Sequence, residues 1–164
     1  MATQFKQTEK FLKTYGKDVE KEIKTRLKGN GKFASGKLYK SVRFDVKEEK
    51  KEFILSFYME EYGKYVDKGV EGAENKRAGK GGKSIYKFRD KMPPEKPFRN
   101  WLRKKGIDKS ASFAIRRSIY LFRITPTNFF TIPTTRRKKQ FERDLDKAMA
   151  KDVNKIIQDE INKK

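Results

Sequence analysis

Two stretches carry residue types capable of chemistry, and in both the spacing argues against it. Ala78–Ser84 reads AGKGGKS, close to a phosphate-cradling loop. A G-x-x-x-x-G-K-S loop anchored on Gly82, Lys83 and Ser84 needs glycine at position 77, where the chain has Arg77. The next residues, Ile85-Tyr86-Lys87-Phe88, are strand-like, so no helix N-terminus would meet a phosphate. The second stretch sets Asp67 beside Glu74 and Lys76, residue types of a metal-dependent nuclease. Glu74 and Lys76 fall in a loop, not on a strand that would fix ligand geometry. Asp67 fits better as a partner of Lys64 or Lys68, or of a neighbouring subunit. No other carboxylate pair stands in an apolar context that would tune its pKa. The 164 residues include no Cys and no His, which removes thiol nucleophiles, histidine bases and Cys/His zinc sites. The expectation is a protein with no catalytic residues, metal or cofactor.

Charge is the stronger signal. Lys and Arg outnumber Asp and Glu by 43 to 22, a formal charge of +21, which favours polyanions or acidic protein surfaces. A lysine-rich solvated surface and a nucleic-acid footprint both fit that balance. Arg116, Arg117 and Arg123 are read on one helix, and Arg136-Arg137-Lys138-Lys139 at the start of the last. Four cations at a helix N-terminus oppose the macrodipole, so an acidic partner or phosphate backbone would relieve them; a frayed, solvated start would too. The aromatic residues lie at core-like spacing and do not suggest base stacking.

The elements that position these residues follow from periodicity. Residues 4–28 predict an amphipathic helix with Phe5, Thr8, Leu12, Tyr15, Val19, Ile23 and Leu27 on one face, stopped by Gly29-Asn30-Gly31. Gly16 weakens its middle by about 1 kcal/mol relative to Ala. A short helical connector starts near Ser35. Val42–Lys47 and Glu52–Met59 alternate as strands around the charged turn Glu48–Lys51, which predicts a hairpin. Glu60–Lys68 predicts two helical turns with Tyr62, Tyr65 and Val66 inward and Gly69 as the stop. Residues 69–83 read as a flexible basic glycine-rich loop, and Ser84–Phe88 as a third strand. Pro97 opens a short helix carrying Phe98 and Trp101 and ended by Gly106; Asp108 or Ser110 caps the next, over residues 110–122. Phe129-Phe130 is read as a buried plug. The last helix runs from residue 133 or 134 to 161, with Phe141, Leu145, Ala148, Val153, Ile156, Ile157 and Ile161 as its apolar stripe.

Hydrophobic residues are only 35% of the chain, yet 13 Phe and 7 Tyr supply enough apolar area for a core. By length this is one domain, residues 1–164, of class α+β: the hairpin and third strand form a small antiparallel sheet, with the first, fourth and last helices on its faces. The C-terminal helix, 134–162, is long enough to reach a neighbour. Residues 1–20 hold no apolar leader, and no run approaches the roughly 18–20 residues that span a bilayer. A soluble cytoplasmic chain without membrane contact is expected.

The order of several short motifs carries a family resemblance. SGKLYKSV (Ser35–Val42), the hairpin, YGKYVDKGV (Tyr62–Val70), a glycine-rich loop, PFRNWL (Pro97–Leu102) and AIRRSIYLFRITPTNFF (Ala114–Phe130) follow one another. Together they resemble the neck and tail-completion (head–tail joining) proteins of tailed bacteriophages. Gly36, Leu38, Ser41, Val42, Tyr62, Tyr65, Val66, Asp67, Gly69, Pro97 and Phe98 carry the match, over roughly residues 33–130. The resemblance implies a non-enzymatic virion protein in the neck or tail, assembled in the bacterial host cytoplasm. Its place would be a homo-oligomeric ring between portal or adaptor and tail proteins, around the DNA channel. On that reading Tyr62, Tyr65, Asp67, Lys76, Arg77, Lys80 and Lys83 are the expected subunit and partner contacts. Phe98 and Trp101 would anchor the helix that closes the loop to the sheet. Arg116, Arg117, Arg136, Arg137, Lys138 and Lys139 are candidate contacts to phosphates or an acidic partner. The alternative is a sequence-independent nucleic-acid-binding protein using those same cations.

Overall fold

The computed structural model describes residues 5–29, 36–49, 52–74 and 84–163, and its architecture is α+β. Helix α1 (Lys6–Gly29) buries Leu12, Val19, Ile23 and Leu27, the apolar stripe its spacing dictates. The short helix α2 (Lys37–Ser41) leads into strands β1 (Arg43–Glu49) and β2 (Glu52–Tyr58), an antiparallel hairpin in register from Arg43↔Tyr58 to Glu49↔Glu52. Its inward residues, Phe44, Val46, Leu55 and Phe57, lie toward α1. Gly16 is explained here: the Phe44 ring lies directly on it, where a Cβ would collide. The core joins Val19, Ile23 and Leu27 to Leu38, Val42 and Phe129, with Tyr15, Phe57, Met59, Val66 and Phe130 packed around them. Burying each large side chain there contributes roughly 1.5–3 kcal/mol.

The chain continues through α3 (Gly63–Lys68), β3 (Val70–Glu71), α4 (Glu95–Lys104), a 3-10 turn (Lys109–Ala111), α5 (Ser112–Leu121), β4 (Arg123–Ile124), α6 (Thr131–Arg136) and α7 (Lys138–Ile161). Asp108 caps the 3-10 turn, accepting from the Ser110 N–H at 2.8 Å. Helix α7 runs antiparallel along α1. Phe141 meets Tyr15 at 4.5 Å and Phe11 at 5.6 Å between ring centroids, and Arg137 reaches Glu22 at 3.4 Å.

At the other end of the pair, the Asp152 carboxylate of α7 closes the first turn of α1. It accepts from the N–H groups of Gln7 (2.9 Å) and Thr8 (2.8 Å) and from the Thr8 hydroxyl (2.8 Å). Burial pushes this carboxyl's pKa up, but the hydrogen bonds and nearby Lys155 outweigh it and hold it below the usual aspartate value. Asp152→Ala is expected to cost about 2–3 kcal/mol in urea unfolding at neutral pH, from a lost cap and orphaned N–H groups. The folded-state pKa is lowered, so the stabilisation is complete above the unfolded range near about pH 4 and fades as pH falls through the folded value. The gap between wild type and Asp152→Ala should therefore close in acid. A gap that persists unchanged at about pH 2 would contradict this assignment.

The structure revises several expectations from sequence. Ser84–Phe88 does not join the hairpin; it returns to β3 through one parallel bridge, Glu71↔Lys87, because the N–H of Glu71 and that of Phe88 bond across it. A second small sheet, β3 with β4, takes the place of the three-stranded one. Residues 70–72, read as part of a flexible loop, are buried strand and its close packing; Lys76, Arg77, Lys80 and Lys83 lie outside the described residues. Helix α4 packs on α5 and the 3-10 turn rather than on the hairpin. The last helix is two, α6 and α7, broken at Arg137. Its apolar stripe is buried only as far as α1 accompanies it: Val153, Ile157 and Ile161 are 43%, 51% and 66% exposed.

Candidate interaction surface around Tyr62–Gly72

The segment YGKYVDKGVEG is fastened from inside by its two acids. Asp67, 3% exposed, accepts from the N–H groups of Phe130 (2.8 Å) and Thr131 (3.1 Å) and from the Thr131 hydroxyl (2.5 Å). It thus caps α6, while the terminal carbonyls of α3, those of Val66 and Asp67, accept from the N–H groups of Thr127 and Asn128. Asp67 was expected at a subunit contact or paired with a lysine. Its carboxylate is engaged within the chain, and the expected lysine partner is Lys68, in a long ion pair at 3.9 Å.

Glu71, also buried, accepts from the Ser84 N–H at 2.8 Å, and the Ser84 hydroxyl donates to the Gly69 carbonyl at 2.8 Å. On the other flank, the N–H groups of Ala73 and Glu74 bond to the carbonyls of Tyr120 and Leu121. Both described ends of the glycine-rich stretch are therefore tied to the β3–β4 sheet. Two glycines make this possible. Gly69 adopts φ 71°, and Gly72 lies so close to the backbone of Leu121 and Phe122 that no side chain fits.

The aromatic residues face the other way. Tyr62 and Tyr65 are 40% and 38% exposed, not inward as their helical spacing suggested, because α3 is a short helix on the surface of the core and only Val66 turns into it. Tyr65 stacks edge-on with Tyr86 at 4.7 Å, the Lys64 ammonium lies 5.1 Å from the Tyr65 ring, and Lys64 pairs with Glu61 at 2.9 Å. Burial, helped by Glu60, pushes the Tyr62 hydroxyl pKa up, so it is a neutral hydrogen-bonding group at neutral pH. Ile85, next to Tyr86, is 80% exposed. Tyr62 and Tyr65 thus stand partly exposed on a base fixed from within.

The other motif residues have structural work. Gly36 sits at φ 68°, Leu38 and Val42 are core, and the Ser41 hydroxyl donates to the Leu38 carbonyl while accepting from the Glu60 N–H. Phe98 and Trp101 stack on one another at 5.2 Å, and because α4 lies on α5 they do not reach the hairpin sheet. The fully buried residue of that helix is Leu102.

The basic candidates divide. Arg116 is turned inward, donating to the Pro93 carbonyl at 2.8 Å and lying 3.8 Å from Glu95, so it braces α4 against α5 and is not a free phosphate contact. Arg137 is held by Glu22, and Lys138 stands 3.9 Å from Glu142. Arg117, Arg136 and Lys139 are exposed. Arg136 closes α6, where a cation suits the dipole, while Arg137, Lys138 and Lys139 stand at the N-terminus of α7.

Two roles were missed from sequence: those of Asp152 and Glu71. Asp152 did leave a signal, an acid standing in the apolar line Phe141, Leu145, Ala148 at the next four-residue step. Glu71 left none, since its burial comes from pairing with Arg123 of β4 and with residues 84–88, neither of which a local period encodes. Among the described residues no group of His, Cys, Asp or Glu is placed to hold a metal ion, and no helix is long and apolar enough to cross a membrane. No family model, curated protein or solved structure matches the chain.

Proposed function

We propose that this protein is a structural subunit of a phage head–tail connector or tail-completion ring, joining portal or adaptor to tail around the DNA channel. One observation carries the reading. The Tyr62–Gly72 segment is locked from within by Asp67 and Glu71, yet leaves Tyr62 and Tyr65 exposed, with Tyr65 against Tyr86 and Ile85 exposed beside Tyr86 in the chain. Exposed aromatic side chains on a rigid base suit a surface for a partner. In a closed ring one patch meets a different patch of the next copy, so such a face need not be self-complementary. The resemblance over residues 33–130 supplies the kind of assembly. A basic nucleic-acid binder working through Arg117, Arg136 and Lys139 is the competing reading.

Mass photometry without DNA, at low and at high salt, separates the two. The ring reading expects a discrete oligomer that survives high salt, since apolar contacts are not screened. The double variant Tyr65→Ser/Ile85→Ser should shift it to monomer while circular dichroism stays unchanged. A wild type that is monomeric at every concentration, gaining mass only on DNA, would overturn the ring reading in favour of its rival.

A further inference from the structure

All seven lysines of α1 fall on one face. They stand at 6, 10, 13, 17, 21, 24 and 28, in steps of four, three, four, four, three and four, which a helix of 3.6 residues per turn places in a single stripe. The stripe lies away from the buried line Leu12, Val19, Ile23 and Leu27, and all of its lysines but the half-buried Lys24 are exposed. At 1.5 Å per residue it runs about 33 Å. Lys13 and Lys24 pair with Glu9 and Glu20, each at 2.5 Å; Lys6, Lys10, Lys17 and Lys21 make no ion pair among the described residues. Successive like charges three and four apart destabilise a helix, so the stripe works against the fold of the free protein unless an anion lies along it.

We infer that this stripe is a binding surface for the phosphate backbone of duplex nucleic acid. A straight row of about 33 Å matches roughly one duplex turn, and lysine reads phosphate as a point charge without base specificity. Along its edge runs a shallow groove of about 580 Å³ lined by four of the lysines (Lys17, Lys21, Lys24 and Lys28), by Glu20, which pairs with Lys24, and by Thr25, Tyr39 and Phe44. The Tyr39 ring is already met by Lys24 at 5.6 Å and Lys28 at 5.0 Å, so it holds ammonium groups and is not an open platform for an unpaired base. That favours duplex over single strand. The inference goes beyond the ring reading and does not depend on it.

The test is fluorescence anisotropy of the full chain with a labelled duplex of about two turns across a series of KCl concentrations. The variant Lys10→Gln/Lys17→Gln/Lys21→Gln should flatten the slope of log affinity against log salt by about 2–3, at roughly 0.9 per phosphate released. The comparison variant Arg117→Gln/Arg136→Gln/Lys139→Gln should change it by less than about 1. The stripe variant relieves repulsion, so its Tm at low salt should equal or exceed that of wild type, which excludes unfolding as the cause. Three results overturn the inference: no duplex binding by wild type, a stripe-variant slope equal to wild type, or an equal loss in the comparison variant. Competition by poly-L-glutamate as strong as by duplex, charge for charge, would also overturn it and point to an acidic protein partner. The DNA-free oligomer is scored separately, so a ring that ignores duplex and a monomer that binds it through the stripe are told apart.

Discussion

Asp67→Ala is expected to lower stability by about 3 kcal/mol at neutral pH, among the largest losses available to a single side chain here. The carboxylate is buried and accepts three hydrogen bonds, two of them from the first N–H groups of α6. Removing it strands those donors and the Thr131 hydroxyl in a site that water does not reach freely. It also loosens the clasp in which α3 and residues 127–131 satisfy each other, and so disturbs the seat of the core residue Phe129. Asp67→Asn keeps an acceptor and should lose about half as much. Urea unfolding followed by far-ultraviolet circular dichroism gives both values. A loss below about 1 kcal/mol for the alanine variant would mean that the network is solvated and that Asp67 is no fastener.

Gly72→Ala should be at least as damaging, at about 3 kcal/mol or more, by a different cause. Its Cβ would run into the carbonyl of Leu121 and the backbone of Phe122, which a rotamer change cannot relieve. β3 would have to move off β4, taking with it the attachments of Glu71 to Ser84 and of Ala73 to Tyr120. Gly106→Ala is the internal comparison. That glycine has φ 67° but open space around it, so its cost should be only the left-handed penalty of about 1–2 kcal/mol. Differential scanning calorimetry of the two variants side by side tests the distinction. If Gly72→Ala melts no earlier than Gly106→Ala, the close approach of β3 to residues 121–122 is wrong.

These two residues also show how far sequence could reach. The register of the hairpin was not among the legible features: Glu48 and Glu49, read as turn, pair with Phe53 and Glu52. Helix α1, the hairpin itself, the cap near Asp108 and the burial of Phe129 were legible. Each depends on a local period or on a turn of a few residues, and such patterns are written in consecutive positions. The interaction segment was legible only as a location. That Tyr62–Gly69 mattered could be read from its composition; that Asp67 faces α6 and the tyrosines face out could not.

The α+β class, the long helices at both ends, the hairpin and the lysine face of α1 were determined by the sequence alone, because side-chain periodicity decides which face of an element is apolar. Tertiary structure decided what each polar group inside that frame is for. Asp67, Glu71, Arg116 and Asp152 look alike on paper, as charges available to a partner. Each is committed within the chain by a group distant in sequence: Thr131, Ser84, Pro93 and Thr8. The reason is physical. A buried charge must find its hydrogen bonds wherever the fold brings them, and sequence spacing does not encode that meeting. The same holds for the far end of α7, whose apolar stripe is core where α1 runs beside it and exposed from Val153 onward, where α1 has not yet begun.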